Sequence, residues 1–185
     1  MRKALHILGI LDDRDLEWMS RHGHVRHITG GAILIREKQP IDAIYILLEG
    51  ELVVRVGETE SRLLARLLPG EIVGEISFVD SRPPSASVIA SSDSLVLALP
   101  RDRVDAKLRT DPAFAGRFYR ALACFLADRL YVTVGRFGYG SPEQDRDVDE
   151  VADSAMEELS MASNRFDKLL RQLRGDYRTR SAISG

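Results

Sequence analysis

The sequence predicts an α+β protein built on an antiparallel β-roll, also described as a jelly roll or double-stranded β-helix, with helices before and after it. Two observations favour this fold. Between residues 25 and 100, short aliphatic and β-branched runs alternate with glycine and proline turns, which is typical of small antiparallel sheets. On both sides of that region, apolar residues recur every three or four positions, which is the spacing of an amphipathic helix.

Composition limits the classes of protein to consider. The chain has 185 residues, of which 29% are charged, and its net charge is −2. This balance gives no general attraction to nucleic acid or to acidic membranes. The single Cys124 excludes an internal disulfide framework and suits a reducing compartment. No apolar run reaches the roughly 20 residues that span a bilayer, and charges follow Met1 too closely for a secretory signal. We therefore expect a cytoplasmic protein.

The predicted elements follow in order along the chain. Residues 3–21 carry helical spacing, with Asp12 and Asp13 as the expected helix cap. Six strands are then predicted at residues 32–35, 43–48, 51–56, 62–67, 85–90 and 94–99. The turns between them are marked by pairs such as Gly30-Gly31 and Pro69-Gly70.

Helical spacing returns after Pro100. One helix is predicted from Arg101 to Leu108, and a second from Pro112 to about Val134, opened by an aspartate cap and a proline at the first helical position. A third amphipathic pattern runs over residues 141–173, with an acidic first half and a basic second half that suit the helix dipole. The polar tail of residues 175–185 is expected to fray.

The most informative stretch is residues 68–88. It is interpreted as a strand, a glycine turn, one helical turn, a proline-rich turn and another strand. This arrangement places the Gly74-Glu75 pair and several free backbone amides on one short loop. A carboxylate there can accept a hydrogen bond from a sugar hydroxyl, and the amides can hold a phosphate.

These features together resemble the cyclic nucleotide-binding domain, as found in bacterial catabolite-activator-like regulators. The residues that carry the resemblance are Gly30-Gly31, residues 42–46 followed by Glu49-Gly50, residues 70–75, residues 86–88 and Leu99-Pro100. The resemblance covers roughly residues 5–135. It divides the chain into a cyclic-nucleotide-binding-like domain (1–135), a C-terminal amphipathic helix for dimer or partner contacts (141–174) and a tail (175–185).

In that family the Gly-Glu loop is a phosphate-binding cassette. The resemblance implies that Glu75 accepts a hydrogen bond from the ribose 2′-hydroxyl beside the Gly74 amide. It also implies that the amides of Ser85 and Ala86, with the Ser85 hydroxyl, meet the cyclic phosphate. The other ligand-site candidates are Ile76 and Ser77 in the cassette, Arg82 and Pro84 after it, and Thr133, which would face the base from the long helix.

One position departs from the family pattern. The family places an arginine nine residues after the glutamate, and this chain has Pro84 there. A charge-assisted contact of that kind contributes about 1.5–3 kcal/mol. Three interpretations stay open: Arg82 folds back over the phosphate, the loop binds a nucleotide or another anion through Glu75 and the amides alone, or the loop holds no nucleotide.

The predicted function is a stand-alone regulatory module that senses cAMP, cGMP or a related anionic ligand and relays it by helix rearrangement to a separate effector protein. The resemblance implies no cofactor other than the possible cyclic nucleotide, and no spacing of catalytic or metal-binding residues supports an enzyme. The apolar stripes at residues 114–134 and 148–173 predict a homodimer along the C-terminal helices. No membrane partner is expected, and no DNA partner either, because residues after Gly140 form one helical pattern without the turn of a DNA-binding module. The alternative is a ligand-independent dimerisation and interaction scaffold with a degenerate cassette.

Overall fold

The computed structural model describes residues 9–57, 62–136, 164–171 and 173. The helices in the described residues include α1 (Asp13–His22), α2 (Glu75–Asp80), α3 (Arg101–Thr110) and α4 (Pro112–Arg136). Residues 164–171 are helical as well. The strands are β1 (His24–Ile28), β2 (Ile33–Ile35), β3 (Ala43–Glu49), β4 (Leu52–Val56), β5 (Arg62–Leu67), β6 (Ile72–Val73), β7 (Ser87–Ala90) and β8 (Ser94–Pro100).

The strands form two four-stranded antiparallel sheets. One has the order β1-β8-β3-β6 and the other β2-β7-β4-β5. The chain passes between the two sheets repeatedly, and α2 lies in the connection from β6 to β7. The β-roll flanked by helices that the sequence predicts is therefore confirmed.

Strand β3 separates two hydrophobic cores. Successive side chains of a strand point to opposite faces, and here Ile44 and Ile46 join a core shared with the helices. Tyr45 and Leu47, on the other face, join a core between the two sheets. Six of the seven β3 residues are consequently buried, which explains why this run is apolar throughout rather than alternating.

The first helix is fixed by its cap and by an ion pair to α4. Asp12 and Asp15 form a reciprocal capping box at the start of α1. The carboxylate of Asp15 is only 2% exposed and accepts two hydrogen bonds from Arg117 of α4, at 2.6 and 2.8 Å. This pairing compensates the cost of burying the Asp15 charge and holds α1 against α4. The predicted cap at Asp12-Asp13 is confirmed at Asp12.

The C-terminal helical segment packs on the N-terminal part of the same chain. Phe166, Leu169 and Leu173 are buried in the core that the helices share. Arg165 donates to the backbone carbonyls of Gly9 and Leu11, each at 2.7 Å. The described part of the predicted 148–173 stripe is thus covered within one chain.

On α4, the first half of the predicted stripe is buried and the second half is not. Phe114, Phe118 and Leu122 lie in the core, whereas Leu130 and Tyr131 are 64% and 65% exposed. The predicted homodimer stays a prediction, and the part of the predicted α4 stripe that is exposed in this structure is its second half. Residues 137–163 and 175–185, which include the start of the predicted third helix and the tail, lie outside the described residues.

One short strand, β1, was missing from the sequence prediction. Strand β1 reads His-Val-Arg-His-Ile, and three of its five residues are exposed, so it carries no apolar run. It is held by its pairing with β8 over five residues. Strand β6, which opens the 68–88 stretch as predicted, has only two residues and pairs with β3. Among the described residues, no helix has the length and apolar character that crossing a bilayer requires.

Candidate functional site

The cassette begins at a glycine that no other residue could replace without strain. Gly74 has a φ of 87°, in the left-handed region that disfavours side chains. A Cβ at this position would lie 2.7 Å from Ile41 Cδ1 and 3.1 Å from the Ala43 carbonyl oxygen. Its own carbonyl accepts the Phe78 amide at 3.0 Å, which starts α2. The glycine therefore turns the chain out of β6 and directs the next residue inward.

That next residue, Glu75, is a buried carboxylate paired with the long helix. It is 2% exposed, and its Oε1 accepts a hydrogen bond from Nη1 of Arg129 at 2.7 Å. The same guanidinium donates to the Ile72 carbonyl at 3.1 Å and stacks on the Phe125 ring, 4.4 Å from its centroid. Arg129 thus connects α4 to the last strand before the cassette and to the cassette itself.

Burial dominates the electrostatics of Glu75. Loss of hydration raises the pKa of the Glu75 carboxyl above its ordinary value, and the Arg129 charge opposes that rise. A buried carboxylate needs compensation by a cation or by hydrogen-bond donors. A sugar hydroxyl entering here has to share the carboxylate with Arg129 or displace it.

The C-terminal end of α2 is held by the first residue of α3. Arg101 donates to the Ser77 carbonyl at 3.0 Å, to the Phe78 carbonyl at 3.1 Å and to the Ser81 hydroxyl at 3.0 Å. Carbonyl groups at a helix C-terminus lack helical partners and carry partial negative charge, so a guanidinium suits them. Ser81 ends the helix in the left-handed region, with φ at 60°. The cassette helix is therefore attached to both α3 and α4.

After α2, the chain carries a tethered arginine and then the two prolines. The Arg82 side chain donates from Nε to Asp80 Oδ2 at 2.6 Å, and its backbone amide donates to Asp80 Oδ1 at 2.9 Å. The Arg82 side chain is 83% exposed. These bonds lower the pKa of the exposed Asp80 carboxyl. In this structure Arg82 is bonded to Asp80, the last residue of α2. Its predicted contact with a phosphate stays a prediction.

The predicted phosphate end has amides to offer but no cation at Pro84. No hydrogen bond joins the amide of Ser85 or Ala86 to another residue within the described part of the chain. The loop between β2 and β3 lies against this segment: the Lys38 amide donates to the Pro84 carbonyl at 2.8 Å, and the Glu37 amide donates to Ser87 Oγ at 3.0 Å.

The remaining predicted site residues are placed as follows. Ile76 is 51% exposed on the outer side of α2, whereas Ser77 is buried beneath it. Thr133 is exposed on α4, and its hydroxyl donates to the Arg129 carbonyl at 2.7 Å. The structure thus places Glu75 next to Arg129, and Arg129 lies one helical turn before Thr133 on α4. The roles assigned to the individual residues stay predictions.

Sequence reasoning missed Arg129 and Arg101. Both are arginines in amphipathic helices, where a charged residue usually faces solvent. The structure shows that Glu75 is buried, and a buried carboxylate requires a cation or hydrogen-bond donors. The sequence did not show this burial, and it did not say which of its many arginines would lie beside Glu75.

The described residues also line a small void and an open groove away from the cassette. A void of about 10 Å³ beneath α4 is lined by apolar side chains such as Phe118 and Leu122, and it is too small for a nucleotide. An open groove of about 260 Å³ is lined by residues of β2 and the loop that follows it, including Arg36, together with Tyr45. Neither cavity is lined by cassette residues.

Comparison with known proteins agrees with this fold. The model of the cyclic nucleotide-binding domain family matches residues 25–111. The cyclic AMP receptor protein of Thermus thermophilus is 39% identical over 92 residues, which are 48% of this chain and 40% of that protein. An uncharacterized NTE family protein of Mycobacterium tuberculosis is 27% identical over 120 residues, which are 65% of this chain and 20% of that protein. This chain therefore matches only a fifth to two fifths of the length of these relatives.

The fold also matches solved structures. A cyclic nucleotide-binding domain from Methylobacillus flagellatus superposes with a TM-score of 0.66 at 22% identity, covering 72% of this chain and 80% of that one. The element order, the two sheets and the Gly74-Glu75 loop between β6 and β7 are the features expected from the sequence resemblance. Residues 25–111 match the cyclic nucleotide-binding domain family, and the fold is that of a solved cyclic nucleotide-binding domain.

Proposed function

We propose that this chain is a regulatory protein whose cassette binds a cyclic nucleotide, cAMP or cGMP, or a related anionic ligand. The observation that carries the proposal is the Glu75–Arg129 pair. It places the expected ribose acceptor in direct contact with the long helix, so that a ligand at this carboxylate acts on α4 without an intermediary.

The ribose end of the site rests on a carboxylate that already requires a partner. A 2′-hydroxyl donating to Glu75 adds a hydrogen bond to a charged group, a contact that contributes about 1.5–3 kcal/mol. Because Glu75 is 2% exposed, ligand entry requires the contact between α4 and the cassette to loosen. Binding is thus coupled to a helix movement, and the ligand selects the state in which the carboxylate is reachable.

The phosphate end supports an anion through backbone amides. Ser85 and Ala86 follow two prolines that restrict the chain before them, and their amides are not used by other described residues. The Ser85 side chain is exposed and adds a hydroxyl donor. A phosphate held in this way, without the family arginine, binds more weakly than in a complete cassette.

The relay follows the two arginines that meet the cassette. Arg101 attaches α2 to α3, and Arg129 attaches Glu75 to α4. A ligand that shifts α2 or withdraws Glu75 changes both attachments, so the angle between α3 and α4 follows the state of the site. The exposed Leu130 and Tyr131 on the second half of α4 offer a surface for a second copy or for a separate effector protein.

The competing function is a scaffold that binds no nucleotide. Two observations favour it: Pro84 supplies no charge, and Arg129 already neutralises Glu75. In that case the fold serves only to present α4 and the C-terminal helix. The two functions predict different responses to ligand.

Calorimetric and thermal-shift titrations of the full chain with cAMP and cGMP separate them. Cyclic AMP is the first probe because the Thermus thermophilus relative is named a receptor for it. A sensor gives a saturable heat and a melting temperature that rises with ligand concentration. Glu75→Gln abolishes most of that response, whereas the matched control Glu71→Gln, outside α2, keeps it. Absence of heat and of any thermal shift at about 1 mM ligand, a concentration at which even millimolar affinity is visible, assigns the scaffold function instead.

A further inference from the structure

The position of the missing cation lies beside a lysine in the loop between β2 and β3. The Lys38 amide donates to the Pro84 carbonyl at 2.8 Å, and the preceding Glu37 amide donates to Ser87 Oγ at 3.0 Å. These two bonds fix the loop against both ends of segment 84–87. Through them the backbone of Lys38 lies next to the residue that replaces the family arginine.

Lys38 has an unfavourable backbone conformation. Its φ is 62°, in the left-handed region, and Ser81 is the only other non-glycine residue with positive φ in the described ranges. A residue with a side chain is disfavoured in this conformation, which glycine adopts without cost. The loop therefore carries a lysine at a position whose backbone conformation favours glycine. Strain of this kind is a reason to look for a function in the side chain.

The Lys38 ammonium is available for a new partner. Its side chain is 77% exposed, and Nζ lies 3.6 Å from Glu37 Oε1, which is an ion pair at longer than hydrogen-bond distance. Glu37 uses its other oxygen, Oε2, to accept the Gly57 amide at 3.0 Å. Arg82, the other cation close to Pro84 in sequence, is held by Asp80 through both its side chain and its backbone.

We propose that Lys38 supplies the positive charge for the anionic end of the ligand, in place of the arginine absent at Pro84. This inference rests on the proposed function, because it assigns a residue to the same ligand site. A lysine ammonium is a compact charge on a flexible side chain, which would approach a phosphate from the loop. An arginine in the cassette would instead bind the phosphate with two parallel hydrogen bonds from its planar guanidinium. The site then recognises the charge of the ligand with less geometric selectivity than a complete cassette.

The test is a calorimetric titration of the full chain with cAMP, comparing wild type with Lys38→Gln, Lys38→Arg, Arg82→Gln and the control Arg36→Gln. Arg36 lies two residues away in the same exposed loop, so its substitution removes an equal charge. The bond to Pro84 comes from the backbone, so every Lys38 variant keeps it. We expect Lys38→Gln to weaken binding about tenfold, and Lys38→Arg and Arg36→Gln to stay within about threefold of wild type.

Several outcomes overturn the inference while leaving the proposed function intact. The inference fails if wild type binds cAMP and Lys38→Gln binds it equally well. It also fails if Arg36→Gln weakens binding as much as Lys38→Gln, because the effect would then come from the general charge of the loop. A loss confined to Arg82→Gln would assign the cation role to Arg82. If wild type shows no binding of cAMP or cGMP, the proposed function itself fails and this assignment falls with it. Equal melting temperatures for wild type and Lys38→Gln verify that the fold is intact.

Discussion

The guanidinium of Arg101 donates hydrogen bonds to the carbonyls of both Ser77 and Phe78, the Ser77 bond being 3.0 Å long and spanning 24 residues of sequence. This contact attaches the end of the cassette helix to the start of α3. It means that α2, a helix of only six residues, does not depend on its own short hydrogen-bond ladder for its position.

Replacing Arg101 by Ala should loosen α2 before it affects the rest of the roll. The substitution leaves the carbonyls of Ser77 and Phe78 without this donor, and we expect a loss of about 1–3 kcal/mol in unfolding free energy. Hydrogen exchange of the amides in residues 75–81 should accelerate more than exchange in β3.

The matched control for this variant is Arg103→Ala. Arg103 lies on the same helix with its side chain 65% exposed, and its Nε lies 4.0 Å from Asp102 Oδ2. Its removal should change stability by no more than about 0.5 kcal/mol. Equal exchange in the cassette for the two variants would contradict the role given to Arg101.

Removing Arg129 should destabilise the protein in a pH-dependent way. Arg129→Gln leaves the buried Glu75 carboxylate without its cation, and breaking a pair of this kind costs about 3 kcal/mol. Burial already raises the pKa of Glu75, with Arg129 opposing the rise. In the variant the folded-state pKa therefore rises further above the unfolded value.

The sign of the pH dependence follows from that shift. A carboxyl whose pKa is raised by folding binds more protons in the folded state, so its contribution to stability falls as pH rises from the unfolded pKa through the folded one. The stability gap between wild type and Arg129→Gln should be small near pH 4, below the ordinary glutamate pKa, and widen toward about pH 7. Urea unfolding across this range measures the gap, and a gap that narrows with rising pH would contradict the assignment.

Restoring the family arginine should strengthen ligand binding. Pro84→Arg adds a cation at the phosphate end, and the Pro84 carbonyl that accepts the Lys38 amide is kept. We expect cAMP affinity to rise by about tenfold to a hundredfold, since a charge-assisted contact contributes about 1.5–3 kcal/mol. A calorimetric titration measures the change, with Pro83→Arg as the control for charge one residue away. No gain from either variant would mean that the segment after α2 does not face the ligand.

The C-terminal helix should contribute to the stability of single molecules. Leu169 is fully buried against the helical core, so Leu169→Ala should cost about 2–4 kcal/mol. Arg171→Ala, on the exposed side of the same segment, should cost less than about 0.5 kcal/mol. If the helix packs within one chain, the loss is independent of protein concentration, and a loss that grows on dilution would instead place the helix in a dimer.

Much of the fold was predictable because its elements have strong local patterns. The apolar runs of β3 and β8, the aspartate cap of α1 and the proline start of α4 each match a simple physical rule. Strand β1 was not predictable in the same way. It is mostly exposed, so it depends on the partner strand β8 that pairs with it.

The site was predictable only on the side that lies in one continuous stretch of sequence. Gly74 and Glu75 could be identified because they lie in one continuous motif, residues 70–75, that carries the family resemblance. Arg129 is 54 residues away from its partner and Lys38 is 46 residues before Pro84. Contacts at such distances are set by how α4 and the β2–β3 loop pack, which a linear pattern does not contain.

Strand β3 has a consequence for how the whole domain comes apart. Its alternate side chains fill two different cores, one toward the helices and one between the sheets. Because the same strand contributes side chains to both cores, displacing β3 disrupts the packing of both. The roll and its helices should therefore unfold together in one transition, and a ligand bound at the cassette between β6 and β7 stabilises both at once.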